Sequence, residues 1–323
     1  MGRTRTVTLV MACALVLGTT ACEPSTPTEP SPPGEATAPL TSCGGRRATT
    51  TRDIAYATVP AVDPNLLALD LTVPVRGGRC GPAPVVVWVH GGAFSVGDKA
   101  NGVAAMTTWA TEQGWAFASV NHRLSPRPPS DAPGRVLHPT HVTDVAAAVG
   151  WLVDHASDRG LDADRILLVG HSAGAFLVSL LATDARYLAA AGVDLDQVRA
   201  VAALDTRYDI AAEIADDDVA AEAMYRTAFG DEPDVWHEAS PATHAGSHVA
   251  EPPFVVVTRG QAERMSSARS FAAALDEATV VDANPLGHAQ VGAALGGPGD
   301  GVVTPTVTAV FRRALDVPIA TRR

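Results

Sequence analysis

Positive charge is scarce in this 323-residue chain, which sets 24 Lys and Arg against 35 Asp and Glu for a formal net charge of −11. The first 21 residues hold Arg3 and Arg5 and no acid, so the remainder is more acidic still. That balance argues against a nucleic-acid partner, which needs a basic face to neutralise phosphates. Cysteine is also sparse: beyond Cys13 and Cys22 near the N-terminus, only Cys43 and Cys80 remain. A lone pair in an exported domain is expected to form a disulfide rather than present a reactive thiol. Internal repeats are absent. The leading apolar run, residues 7–17, is too short to span a bilayer. His138, His141 and Asp144 share a helical spacing that imitates metal ligands, but no fourth partner is evident, so no metal site is assigned.

Two arginines, a short apolar core and small residues before Cys22 read as a secretory leader over residues 1–21. The stretch is similar to a bacterial lipoprotein signal, which implies lipidation of Cys22; Thr19 departs from the leucine usual in that signal. Residues 22–42 are rich in proline and poor in apolar side chains, and so predict an extended tether. The expected product is an extracytoplasmic domain, residues 43–323, anchored to the bacterial membrane by lipid alone or else secreted. Its length of about 280 residues suits one large α/β domain.

Within that domain, strand-like runs at 54–59, 66–73, 84–90, 115–120, 166–169, 198–204, 254–258 and 279–282 alternate with helical patterns at 138–155, at 173–183 and after 209, 264 and 304. Such alternation predicts a mostly parallel sheet of about eight strands with helices on both faces. The segment 209–248, with Asp216-Asp217-Asp218, is the least regular; its acidic run reads as a solvated helix face, with a small cap as the alternative.

The chemistry centres on Gly170-His-Ser-Ala-Gly174, placed between a strand and a helix. A serine is a poor nucleophile unless a tight turn lifts it toward a base and free backbone N–H groups, and the flanking glycines leave room for that turn. Ser172 is the candidate nucleophile. Of ten histidines, His288 follows the last strand and so shares the sheet end at which Ser172 emerges; His171 is expected to point away from the serine. Gly92, Ala93 and Ala173 are the expected oxyanion donors. Glu263, in the loop after 254–258, is the preferred acid to orient His288, with Asp205 as its rival; Asp209 and Asp282 read as structural.

His90-Gly-Gly-Ala-Phe94, Asn121-His-Arg-Leu-Ser-Pro126, Gly160-Leu-Asp-Ala-Asp-Arg-Ile166, Gly170-His-Ser-Ala-Gly174, Ser240-Pro241 and Pro252-Pro-Phe-Val-Val-Val257 occur in the order found in α/β-hydrolases. From about Leu69 onward the chain resembles the carboxylesterase branch with hormone-sensitive-lipase-like and bacterial feruloyl-esterase-like members. The resemblance implies an α/β-hydrolase fold, a Ser–acid–His triad, an acyl-enzyme intermediate, small carboxylic-ester substrates and no cofactor. Three residues depart from its pattern: Ala93 stands for a third glycine, Glu263 for the aspartate after the seventh core strand, and His122 for a tyrosine. A peptidase or amidase of the same fold, or an inactive cell-surface binding protein, are the competing readings.

Overall fold

The computed structural model describes residues 43–317, apart from residues 46, 79, 129, 217 and 248–250. The leader, Cys22 and the tether lie outside the described residues. Strands β1 (Ala48–Ala55), β2 (Ala68–Pro74), β3 (Ala83–Val89), β4 (Ala116–Val120), β5 (Leu161–His171), β6 (Val198–Leu204), β7 (Phe254–Thr258) and β8 (Ala278–Asp282) form one sheet. Their order is β1-β2-β4-β3-β5-β6-β7-β8. The first two pairings, β1 with β2 and β2 with β4, are antiparallel, and all the others are parallel.

Every residue of β3, β6 and β7 is buried, as strands covered on both faces require. The pleat sends Val85, Val87 and Val89 to one face and Val86 and Trp88 to the other. On the first face lie α2 (Thr140–Asp154), α4 (Ala173–Thr183) and α10 (Ala262–Ala274); on the second lie α1 (Ala104–Glu112), α11 (His288–Ala294) and α12 (Val303–Asp316). The remaining α-helices among the described residues are α3 (Ala156–Arg159), α5 (Ala185–Ala190) and four that follow β6: α6 (Ile210–Ala215), α7 (Val219–Phe229), α8 (Pro233–Ala239) and α9 (Pro241–His244).

The first strand differs most from the sequence reading, beginning at Ala48 rather than near 54. Seven of its eight residues are exposed, so the apolar pattern that reveals a half-buried strand is missing. Edge pairing with β2 alone makes it a strand. Cys43 and Cys80 form a disulfide across 37 residues of chain. Closing a loop of that length contributes about 4 kcal/mol on the chain-entropy account.

Candidate active site

Ser172 sits between β5 and α4 at φ 54° and ψ −121°, a conformation that side chains other than glycine rarely adopt. Gly174 is what lets the turn close. A Cβ there would lie 2.1 Å from the Val89 carbonyl oxygen, so α4 starts against the end of β3 only because none is present. The Ser172 N–H donates to Leu204 O at 3.0 Å, tying the elbow to β6.

His288, the first residue of α11, places Nε2 2.9 Å from Ser172 Oγ and Nδ1 2.6 Å from Asp205 Oδ2. A carboxylate only accepts, so Nδ1 carries the proton and Nε2 receives the bond from the Ser172 hydroxyl. Asp205 follows β6, has φ 53°, and is fully buried. Arg259 Nε donates to its Oδ2 at 2.7 Å, and Arg264 donates through Nε to Oδ1 at 2.9 Å and through Nη2 to the Asp205 carbonyl at 3.2 Å, with Nη2 ion-paired to Oδ1 at 2.8 Å. Burial by itself raises the Asp205 pKa, but the hydrogen bond from His288 and the charges of Arg264 and Arg259 outweigh it and hold the carboxyl at about 2.

Glu263, the preferred acid from the sequence, is not the partner of His288. It lies exposed in the first turn of α10, where a carboxylate suits the positive end of the helix dipole. The loop after β7 and the first turn of α10 instead send two cations, Arg259 and Arg264, to the carboxylate that follows β6. A sequence signal for this exists in Asp205, which directly follows the run 198–204, with Arg259 and Arg264 downstream of the next strand.

His171 avoids the serine hydroxyl, as expected, but has an unforeseen place. Its Nε2–H donates to the His288 carbonyl at 2.8 Å, and its ring lies 4.6 Å from that of His288. Burial, then the neighbouring His288, lowers its pKa to about 4, so it braces His288 as a neutral ring.

Ala93 and Ala173 line a cavity of about 360 Å³ together with Ser172 and His288, while Gly92 lies just outside the lining. Ala173 opens α4, where the first N–H groups have no partner within the helix. Gly92, at φ 129°, shapes the turn: a Cβ there would meet Val96 O at 1.9 Å. The far wall comes from α6, α7 and the segment between them, including Glu213, Asp216, Asp218, Met224 and Tyr225. Asp216 and Asp218 are thus both solvated and part of a small cap bordering the site. Asp218 also caps α7 by accepting from the N–H groups of Ala220 and Ala221. Arg207 pairs with Glu213 at 3.1 Å in the same wall. A second cavity of about 420 Å³, between the 282–286 loop and residues 297–303, contains none of the three residues of the serine–histidine–aspartate chain.

The residues with metal-like spacing diverge: His138 faces Glu238 at 3.2 Å, His141 bonds Ser125 at 2.9 Å, and Asp144 is held by Arg123 at 2.6 Å. Asp209 caps α6 by accepting from the Ala212 N–H, and Asp282 accepts from the Asn284 N–H.

Among known proteins, the chain is 31% identical over 248 residues to Esterase LipQ of Mycobacterium tuberculosis, covering 72% of this chain and 54% of that one. It is 29% identical to Esterase LipC of the same organism, over 59% and 47% of the two chains. The chain thus spans about half the length of these relatives. Esterase B from Lactobacillus rhamnosis superposes with a TM-score of 0.64 at 21% identity over 82% of this chain and 87% of that one. A truncated carbohydrate esterase from gut microbiota gives 0.64 at 17% identity over 83% and 97%. Residues 69–273 match the BD-FAE family, and the chain, built on the α/β-hydrolase fold, belongs to it.

Proposed function

We propose that the protein is a serine esterase that hydrolyses small carboxylic esters through an acyl-enzyme. The observation that carries this is the unbroken hydrogen-bond chain from Ser172 Oγ through His288 to Asp205, beside the N–H groups of Ala93 and Ala173. As Oγ attacks the ester carbonyl carbon, the serine proton passes to His288 Nε2, and the carbonyl oxygen takes up negative charge facing those N–H groups. Collapse of the tetrahedral species breaks the bond to the alcohol oxygen, which leaves with the proton from Nε2. Water then attacks the acyl-serine with His288 again as base, releasing the acid and restoring Ser172. Asp205 keeps Nδ1–H directed and stabilises the imidazolium without itself taking the proton. The esterases among the relatives support the reading, and the limited, partly polar cavity favours small esters.

A fluorophosphonate probe is expected to label the wild type and to leave Ser172→Ala unlabelled, with short-chain p-nitrophenyl ester turnover lost in the same variant. Failure of the wild type to label would sink the enzymatic reading in favour of an inactive binding protein.

We also infer that the protein is exported and lipidated at Cys22. The basic and apolar pattern before that residue supports this, as does the Cys43–Cys80 disulfide, since such bonds persist in oxidising compartments. Cells fed an alkynyl palmitate should tag the wild type and not Cys22→Ala; an untagged wild type released to the medium would mean plain secretion.

A further inference from the structure

The turn that carries Ala93 is gripped at both ends by one connected set of rings. His90, just before it, stacks on His122 with centroids 4.8 Å apart and planes 17° from parallel. His122 meets His141 edge-on at 5.9 Å, and His141 lies 5.6 Å from Phe94, on the other side of the turn. Phe94 is itself packed against Phe176 and Phe229 at 5.7 and 5.2 Å. A path of side chains thus leaves the turn at His90 and returns at Phe94, by way of His122 after β4 and His141 on α2.

Hydrogen bonds dictate where the ring protons lie. His90 donates Nδ1–H to the Gly91 carbonyl at 2.8 Å, and His122 donates Nδ1–H to the Arg123 carbonyl at 2.9 Å. Ser125 gives its one hydroxyl proton to Val136 O at 2.9 Å, so His141 Nε2–H donates to Ser125 Oγ, also at 2.9 Å. All three rings are neutral, and Nε2 of His122 and Nδ1 of His141 are buried with no hydrogen-bond partner. Both rings are about 1% exposed, so they act through packing and not through contact with a substrate.

The turn needs such support. Ala93 and Phe94 have φ of 54° and 58°, and strained backbone of this kind persists only when its surroundings over-determine it. An oxyanion donor is effective only where it points at the developing charge, and displacement of a reacting group by about 1 Å can cost about a hundredfold in rate.

We propose that His122 and His141 are positioning residues of the oxyanion turn, clamping His90 to Phe94 so that the Ala93 N–H is aimed at the reacting carbonyl oxygen. This rests on the esterase reading above and assigns a role to His122, which takes no part in the serine–histidine–aspartate chain.

The test is the turnover of p-nitrophenyl acetate per active site, with sites counted by fluorophosphonate titration, for wild type, His122→Ala and His122→Phe. His122→Ala is expected to lower kcat per titrated site at least tenfold with KM within about twofold, and His122→Phe to restore most of it by refilling the stack with a flat ring. A residue that only supported folding would reduce the number of titratable sites and leave kcat per site unchanged. Per-site kcat within twofold of wild type for His122→Ala would overturn the proposal. Should that variant not fold, His141→Gln, which keeps a donor toward Ser125 but removes the ring, is held to the same criterion. A wild type that neither labels nor turns over would overturn the esterase reading and this proposal together; an active wild type with an unaffected variant overturns this one alone.

Discussion

Asp205→Asn is expected to reduce kcat on a short-chain p-nitrophenyl ester by roughly 10³- to 10⁴-fold, while Glu263→Gln stays within about twofold of wild type. Asp205 receives donors on both carboxylate oxygens: Arg259 and His288 on Oδ2, Arg264 on Oδ1. An asparagine has one oxygen and one NH₂ group, so either orientation sets a donor against a guanidinium. If the NH₂ takes the Oδ2 place, His288 must shed its Nδ1 proton and carry it on Nε2, where it can no longer accept from Ser172. Circular dichroism of the variant separates this loss from unfolding, which the two unpaired cations also promote. A larger loss in Glu263→Gln than in Asp205→Asn would return the acid to the loop after β7.

Acidification from pH 7 to 4.5 is expected to remove about 5 kcal/mol of unfolding free energy through His141 and His171 alone. Burial and neighbouring groups hold His141 at about 3 and His171 at about 4, below the ordinary 6.5. Each is therefore neutral in the native state while its unfolded counterpart takes up a proton as pH falls through 6.5. The unfolded chain binds more protons across that window, so stability is complete above it and is lost on the way down to the native pKa. His90, His122 and His138, also lowered by burial, act in the same direction. Glu213 and Glu251, raised by burial, oppose it, and Asp205 at about 2 titrates below the window. Urea unfolding at the two pH values, for wild type and His141→Gln, measures the effect. A wild-type stability flat between pH 7 and 4.5 would refute it.

The buried strands were the most legible part of the chain. The runs 198–204 and 254–258 coincide with β6 and β7 because a strand covered on both faces is predominantly apolar; Arg199 is the charged residue that β6 buries nonetheless. The serine turn was equally plain, since Gly170 and Gly174 sit where a Cβ would collide with backbone. Less visible was β1, whose exposed residues carry no period. The cap was concealed by its own acidity: Asp216 and Asp218 are solvent-exposed, as an acidic run suggests, and only the positions of α6 and α7 show that they also border the cavity.

The succession of strands along the chain, the turn that carries Ser172 and the placing of His288 at the same sheet end followed from the sequence, because each depends on local pattern and on chain direction through a parallel sheet; α1 did not. The choice of acid did not. Asp205 and Glu263 both follow strands that end at the same sheet edge, and the assembled structure distinguishes them by bonding His288 Nδ1 to the buried Asp205 while Glu263 stays exposed on α10. The same holds for His122, whose meaning depends on rings from residues 90, 141 and 94 that converge only when β3, β4 and α2 pack together. Local pattern reports which face a residue buries; which side chain it meets there is a property of the assembled core.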